Sequence, residues 1–199
     1  MKPSDIARAY NQITHLWVRD EFDKGNGIKQ HERAIAFVKS RGYALDVGCG
    51  CTGRFIVLLK EAGFTPEGVD ISSEMVRLAK DRHPDVHFYE VDICQWQLPK
   101  QYDFISAWDS VWHVPLERHA FVLKKLIAAL KSGGVLIFSC GGLYEEHSHI
   151  EDAMGPAVYY STLGIPGFLQ LIVESGCLCR HLEFDQYPEL HAYFIVQKI

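Results

Sequence analysis

Between Tyr43 and Gly142, short apolar runs alternate with amphipathic ones, and this alternation restricts the possible folds more than any other feature of the chain. Strands are predicted at "YALDVG", "TPEGVDI", "VHFYEVDI", "QYDFISAWDS" and "GVLIFSCGG". Helices are predicted at "GRFIVLLKEAG", "SSEMVRLAKDRHP" and "PLERHAFVLKKLIAALKSGG". Strands that alternate with helices in this way predict a mostly parallel α/β sheet with helices on both faces.

The two ends of the chain depart from this alternation. Apolar residues at helical spacing predict helices through "SDIARAYNQITHLWVRDEF" and "IKQHERAIAFVKSRG", so residues 1–42 are expected to form a helical cover. Near the other end, "CLCRHLEFDQY" and "HAYFIVQKI" are predicted strands joined by a short "PEL" turn, which permits only an antiparallel hairpin. Residues 142–165 are too rich in tyrosine and apolar side chains for a linker and are expected to form an ordered insertion. The whole chain, 1–199, is therefore predicted to be one doubly wound α/β domain.

Composition and net charge indicate where the protein is located and which classes of partner it binds. The formal net charge is −5, which argues against nucleic acid as the main partner because phosphate binding favours a basic face. No apolar run approaches the roughly 20 residues that span a bilayer, and the N-terminus lacks the apolar core of a signal peptide. A cytoplasmic protein with no membrane partner is expected, and its six cysteines are interpreted as free thiols. Cys177, Cys179 and His181 alternate, so they are expected to share one face of a strand and to be buried.

Three glycines follow the first predicted strand directly, in "DVGCGCTG". They are Gly48, Gly50 and Gly53. Ligands of open α/β sheets bind at the carboxyl ends of the strands, and glycines let a backbone approach a ligand closely. The N–H groups at the start of the next helix also suit a carboxylate or a phosphate. The turn is therefore a candidate ligand site as well as a tight connection.

Carboxylates mark the same end of three successive strands. Asp46 stands just ahead of the glycines, Asp70 closes the second strand, and Asp92 closes the third. A carboxylate at the position of Asp70 can accept hydrogen bonds from both hydroxyls of a ribose. Asp92 is placed to meet the edge of an adenine.

The glycines also match the dinucleotide pattern G-x-G-x-x-G, so an NAD(P)-dependent oxidoreductase is an alternative. Two features oppose it. Dinucleotide-binding turns usually begin with an apolar residue where this chain has Asp46, and the sheet ends in an antiparallel hairpin instead of a sixth parallel strand. A non-catalytic cofactor-binding module is the second alternative.

The runs "LDVGCGCTGRF", "GVDISSEM", "VDIC", "YDFISAWDSVWHVP" and "LKSGGVLIF" resemble, in order and spacing, the motifs of class I S-adenosylmethionine-dependent methyltransferases. The resemblance covers about Tyr43 to Gly142. It implies a Rossmann-like seven-stranded sheet of order 3-2-1-4-5-7-6 with the last strand antiparallel. It also implies methyl transfer to a small molecule on oxygen, nitrogen or sulfur.

The same resemblance implies S-adenosyl-L-methionine as cofactor and assigns residues to it. Asp46 would orient its ammonium group and Asp70 would hold its ribose, while Cys51 and Thr52 replace the Gly or Ser often found in the turn. The implied cofactor-binding residues are Asp46, Gly48, Cys49, Gly50, Arg54, Asp70, Ile71, Met75, Asp92, Ile93, Ala107 and Trp108.

Fewer sequence features indicate where the methyl acceptor binds. The Asn-Pro-Pro-Tyr type of run is absent, and "AWDSVWHVP" resembles the small-molecule branch, which makes His113 the first candidate base, with a capping or partly buried histidine as the alternative. Tyr10 of the N-terminal helix is the second candidate catalytic residue. Candidate acceptor-binding residues are Trp17, His147, His149, Tyr159 and Tyr160. No metal is expected, because the spacing of His147 and His149 matches no metal signature.

Overall fold

A computed structural model describes residues 1–199 and contains one large sheet and one small one. The α-helices are α1 (Pro3–Ile13), α2 (His15–Val18), α3 (Ile28–Ile35), α4 (Arg54–Glu61), α5 (Ser73–Arg82), α6 (Leu116–Ala128) and α7 (Gly164–Glu174). The strands are β1 (Tyr43–Val47), β2 (Thr65–Asp70), β3 (His87–Glu90), β4 (Tyr102–Ala107), β5 (Leu130–Gly141), β6 (His147–Glu151), β7 (Val158–Thr162), β8 (Cys177–Glu183) and β9 (His191–Lys198). A short 3-10 helix spans Val111–His113.

The large sheet has seven strands in the order β3-β2-β1-β4-β5-β9-β8. The first five strands are parallel, and β9 is antiparallel to both β5 and β8. Since β8 and β9 are the predicted sixth and seventh strands, the predicted order and the antiparallel last strand are confirmed. The order reverses between β1 and β4, so a crevice opens where both strands end.

The core lies on both faces of this sheet. Successive residues of β1, β4 and β5 point to opposite faces, so each strand feeds two apolar clusters. One cluster contains Leu45, Ile105 and Leu136, and the other contains Ala44, Phe104 and Val135. All six are fully buried. This explains why the central parts of these strands are apolar runs without the alternation of a half-exposed strand.

The N-terminal helices are shorter than predicted. The first predicted helix is divided into α1 and α2 at Thr14, and the second ends at Ile35 rather than near Gly42. The guanidinium group of Arg41 donates hydrogen bonds to the carbonyls of Ile35 and Val38, and it thereby satisfies carbonyl groups where α3 ends. The apolar pattern alone does not reveal such a side-chain cap.

The insertion contains regular structure that the sequence did not predict. β6 and β7 form a separate antiparallel two-stranded sheet, and the register places His149 opposite Tyr160. Every residue of β6 is exposed, so "HSHIE" lacks the alternation of apolar and polar residues that identifies a strand.

The C-terminal hairpin differs from the prediction in two details. β8 ends at Glu183, so residues 184–190 connect the strands instead of a short turn. A β-bulge between Cys179 and His181 also changes the parity of the strand, because these two residues oppose successive residues of β9. The expectation that Cys177, Cys179 and His181 share one buried face is therefore wrong, and Cys179 is exposed. None of the helices combines the length and the apolar character needed to cross a membrane.

Candidate active site

A cavity of about 420 Å³ lies in the crevice at the carboxyl ends of β1, β2 and β4, under the N-terminal helices. This volume falls within the usual range of small-molecule sites. Of the residues assigned from the sequence, those that line it are Tyr10, Trp17, Gly48, Cys49, Gly50, Arg54, Asp70, Ile71, Met75, Asp92, Ile93, Trp108, His113 and Tyr160. Asp46, Ala107, His147, His149 and Tyr159 are not among its lining residues.

The three positions of the turn are glycine for different physical reasons. All have positive φ, between 55° and 70°. A Cβ on Gly48 would stand 2.2 Å from Cβ of Ser110, so packing excludes a side chain there. One on Gly53 would stand 2.0 Å from Nε2 of His83, whose ring would have to move. A Cβ on Gly50 would meet no protein atom within 4 Å, although Gly50 lines the cavity, so open space lies over its backbone.

Asp70 is held by the backbone on both sides. Its Oδ2 accepts a hydrogen bond from the N–H of Gly50 at 2.9 Å, and its Oδ1 accepts one from the N–H of Ser72 at 2.9 Å. Burial raises the pKa of this carboxyl above its ordinary value, while the two N–H donors lower it. The carboxylate is therefore fixed in position beside Gly50. Each oxygen retains a lone pair for a further donor.

Asp92 lies two residues beyond the end of β3 and is held in a similar way. Its Oδ1 accepts a hydrogen bond from the N–H of Cys94 at 2.8 Å, and its Oδ2 accepts one from Nε2 of Gln95 at 3.0 Å. The side chain closes its own turn and lines the cavity next to Ile93.

Asp46 has a different environment from the other two carboxylates. It is buried, with 2% of its surface exposed, and it lies outside the cavity lining. Burial raises its pKa to about 7, although the charge of Arg54 and a hydrogen bond from Ser106 act in the opposite direction. Asp46 is therefore only partly ionised near neutral pH and does not face the ligand space directly.

The raised pKa of Asp46 predicts how stability depends on pH. An aspartate in an unfolded chain titrates near pH 3.9, so between about pH 4 and pH 7 the folded protein holds the extra proton. The stability that this proton contributes is full below about pH 4 and is lost as the pH rises toward 7. From pH 5 to pH 7, the free energy of unfolding should fall by roughly 2 kcal/mol in the wild type relative to Asp46→Asn. Urea denaturation at both pH values measures this, and parallel changes in the two proteins would contradict it.

Arg54 is a cation without an anionic partner. It begins α4 and lines the cavity, and its guanidinium group lies 4.5 Å from the ring centroid of Phe55 and 5.3 Å from that of Phe22. Its buried Nε has no hydrogen-bond acceptor. Because an unsatisfied buried donor is costly, this arrangement fits a ligand that brings a carboxylate or a phosphate.

Tyr10 and His113 form a pair inside the cavity. The hydroxyl of Tyr10, on α1, lies 2.6 Å from Nε2 of His113, on the 3-10 helix. Nδ1 of His113 lies 2.8 Å from the backbone carbonyl of Tyr159, and Nε1 of Trp112 donates to Nε2 of His113 at 3.0 Å. The two residues proposed as catalytic from the sequence are thus brought together from positions about a hundred residues apart.

The partners of His113 determine where its proton lies. A carbonyl oxygen can only accept, so Nδ1 carries the proton and donates it to Tyr159. Burial lowers the pKa of His113 to about 4, so the ring is neutral at pH 7 and Nε2 is an acceptor. It accepts hydrogen bonds from Nε1 of Trp112 and from the hydroxyl of Tyr10. Burial raises the pKa of Tyr10 well above its ordinary value, so this hydroxyl carries its proton.

The candidate acceptor residues divide into two groups. Trp17 and Tyr160 line the cavity, and the ring of Tyr160 lies 4.8 Å from that of His113. His147 and His149 lie on the exposed strand β6, where the ring of His149 stacks on the outer side of this group at 5.4 Å from Tyr160. No group of three or more His, Cys, Asp or Glu side chains forms a metal-binding cluster.

Several cavity residues escaped the sequence analysis, among them Asp109 and Trp112. Asp109 has the only positive φ of a non-glycine residue, 52°. Asp109 follows β4 as Asp70 closes β2, so the rule that identified Asp70 could have identified it. Its partner His191, at the start of β9, carries no local signal, because only the antiparallel pairing with β5 brings it to this end of the sheet.

Comparisons with known proteins agree with this geometry. Residues 44–134 match a family model described as "Methyltransferase domain". Trans-aconitate 2-methyltransferase of Rhodopseudomonas palustris strain BisB18 is 34% identical over 108 residues, which are 53% of this chain and 41% of that protein. The enzyme of the same name from Escherichia coli strain 55989 is 30% identical over 164 residues, 75% of this chain and 63% of that protein. The chain thus spans 41% and 63% of the length of these two relatives.

A solved structure extends the likeness to the whole chain. The magnesium protoporphyrin IX methyltransferase of Synechocystis PCC 6803, crystallised with bound S-adenosylmethionine, superposes with a TM-score of 0.74 at 15% identity. The match covers 99% of this chain and 97% of that chain. At this identity it establishes the fold, and the matched family model covers the segment that carries the glycine turn. The chain therefore has the fold of an S-adenosylmethionine-dependent methyltransferase, and its residues 44–134 match the methyltransferase-domain family.

Proposed function

We propose that this protein transfers a methyl group from S-adenosylmethionine to a small-molecule acceptor, on an oxygen, nitrogen or sulfur atom. The observation that carries the proposal is the open space over Gly50, bordered by the fixed carboxylate of Asp70 and the unpaired guanidinium of Arg54. An aminoacyl nucleoside has a ribose, an ammonium group and a carboxylate, so the chemistry of these side chains fits it.

The residues of the cavity have distinct roles in this proposal. Asp70 accepts hydrogen bonds from the ribose hydroxyls, Asp92 faces the adenine edge, and Arg54 binds the carboxylate of the amino-acid end. The cofactor supplies an electrophilic methyl carbon, so the contribution of the protein is mainly to bring the acceptor into line with it. Trp17 and Tyr160 present aromatic surfaces on the side where the acceptor would enter.

Proton removal is assigned to the pair of Tyr10 and His113. The oxygen of Tyr10 can accept a proton from the acceptor while its own proton passes to Nε2 of His113, which is neutral and unprotonated at that atom. An acceptor that arrives as an anion, such as a carboxylate, does not need this step. We propose the pair for acceptors that arrive protonated, for which a general base typically contributes ~10²–10⁴-fold.

The proposed function is tested by measuring binding and transfer on the same protein. S-adenosylhomocysteine is expected to raise the melting temperature, and NAD⁺ and NADP⁺ are not. Label from methyl-labelled S-adenosylmethionine should appear in at least one member of a panel of carboxylates, phenols, amines and thiols, including trans-aconitate because two relatives carry that name. Stabilisation by the nicotinamide dinucleotides alone would support the oxidoreductase. Binding of S-adenosylhomocysteine with no transfer to any class would support a non-catalytic module.

Asp70→Ala tests the ribose contact separately. A charge-assisted hydrogen bond is worth about 1.5–3 kcal/mol, so the affinity for S-adenosylhomocysteine should fall by roughly 10- to 100-fold in calorimetric titrations. The matched control is Ser72→Ala, which removes a buried cap of α5 from a residue outside the cavity lining. Equal affinities of Asp70→Ala and the control would contradict the assignment.

A further inference from the structure

Asp109 occupies a strained position at the edge of the cavity. Its φ of 52° lies in the left-handed region, which few non-glycine residues adopt. Ser139 holds it there, because the N–H of Asp109 donates to Oγ of Ser139 at 2.7 Å and this hydroxyl donates to Oδ1 of Asp109 at 3.1 Å. Strain of this kind persists only where the surroundings impose it, and it is concentrated at functional sites.

A buried histidine fixes the same carboxylate oxygen. His191 lies between two carboxylates, with Nε2 3.1 Å from Oδ1 of Asp109 and Nδ1 2.5 Å from Oδ1 of Asp185. Carboxylates are acceptors, so both ring nitrogens donate and the ring is an imidazolium. The side chains of His191 and Asp185 are 7% and 4% exposed, against 30% for Asp109. Nε2 of Gln30 donates to the other oxygen of Asp185 at 2.7 Å and completes this chain of contacts.

The second oxygen of Asp109 is left for a ligand. Nε2 of His191 and Oγ of Ser139 both donate to Oδ1. Oδ2 is approached only by Nδ2 of Asn26, at 3.5 Å. Asp109 and Asn26 both line the cavity. A fixed carboxylate oxygen with a vacant lone pair is suited to an ammonium group.

The other charged groups of the cavity indicate which group of the ligand would bind to Oδ2 of Asp109. Asp46, the residue that the resemblance assigns to the ammonium of the cofactor, is buried outside the cavity lining. Asp109 and Arg54 line one cavity, carry opposite charges and form no ion pair with each other. An anion with a free carboxylate oxygen and a cation that it does not pair with, both in one cavity, are complementary to a zwitterionic α-amino acid. We propose that Asp109 binds the ammonium group of the amino-acid end of the cofactor, and that His191 and Asp185 are positioning residues that hold its carboxylate.

This assignment rests on the proposed function, and its test separates the two. Calorimetry would measure the affinities for S-adenosylhomocysteine and for its deamino analogue, in which hydrogen replaces the ammonium group. In Asp109→Asn, the affinity for S-adenosylhomocysteine should fall by roughly 10- to 100-fold, while that for the analogue should change by less than about threefold. His191→Gln should show the same selective loss with a smaller magnitude. A merely structural role would weaken both ligands equally and leave their ratio unchanged.

Asp103→Asn is the matched control. Asp103 is a buried carboxylate of the same strand, β4, but it is paired with Lys131 and lies outside the cavity lining, so the ratio should stay at the wild-type value. Should Asp109→Asn fail to fold, Asp185→Asn, outside the cavity lining, should show the same selective loss as His191→Gln. An unchanged affinity for S-adenosylhomocysteine, or equal losses for both ligands, would overturn the role of Asp109. Wild-type protein that binds neither ligand would instead overturn the proposed function.

Discussion

His113→Asn is expected to reduce the turnover number by ~10²–10⁴-fold with an acceptor that arrives protonated, and to change the affinity for S-adenosylhomocysteine little. Asparagine keeps an N–H group near the position of Nδ1, so the hydrogen bond to the carbonyl of Tyr159 can persist. It removes Nε2, the atom that accepts the hydroxyl proton of Tyr10. Steady-state kinetics with the best acceptor from the panel measures the effect. His87→Asn, at an exposed position of β3, is the matched control.

Tyr10→Phe should cause a loss of similar size, because the proton would pass through the hydroxyl before it reaches His113. If the two side chains act as one unit, the double variant should be no slower than the slower single variant. Losses that multiply in the double variant would contradict the relay. Since the pKa of His113 is lowered to about 4, its contribution should be constant from pH 6 to pH 8. A dependence on protonation of His113 near pH 6.5 would contradict its burial.

Gly50→Leu is expected to lower the affinity for S-adenosylhomocysteine on the order of 100-fold. A Cβ there has no protein atom within 4 Å and borders the cavity, so we expect the side chain to meet the ligand. The φ of 55° also imposes a conformational cost of about 1–2 kcal/mol on leucine, which appears as a loss of stability. Calorimetric titration and thermal melting separate the two effects.

Gly133→Leu is the matched control for this variant. Gly133 also has a positive φ, 77°, and a Cβ there would likewise meet no atom within 4 Å. It lies outside the cavity lining, so it should share the loss of stability and keep the wild-type affinity. Equal affinities of the two variants would contradict the view that Gly50 leaves space for the cofactor.

The strands of the sheet could be predicted from the sequence because each central strand is buried on both faces. Residues such as Phe104 and Ile105 are adjacent in the chain and enter different apolar clusters, which produces continuous apolar runs that are easily recognised. The carboxylates that follow these runs were placed correctly at one edge for the same reason. The exposed strand β6 escaped prediction because it buries nothing and therefore carries no periodic signal.

The site could be predicted only in part because some of its contacts depend on packing between distant elements. The sequence identified Tyr10 and His113 separately, but their hydrogen bond depends on α1 packing against α5 and β7, beside the 3-10 helix. Asp109 is held by a hydrogen bond from His191, which lies at this end of the sheet only because β9 runs antiparallel to β5. The burial of Asp46 behind the turn likewise follows from packing that the motif does not encode.

A crystal structure of the complex with S-adenosylhomocysteine would show whether the cofactor lies on the glycine turn. Ligand density is expected over Gly50, with both ribose hydroxyls at the carboxylate of Asp70 and the amino-acid end between Arg54 and Asp109. The sulfur atom should face the hydroxyl of Tyr10. Density for the ligand elsewhere on the chain, with the space over Gly50 filled by the side chains of the protein itself, would contradict this placement of the ligand.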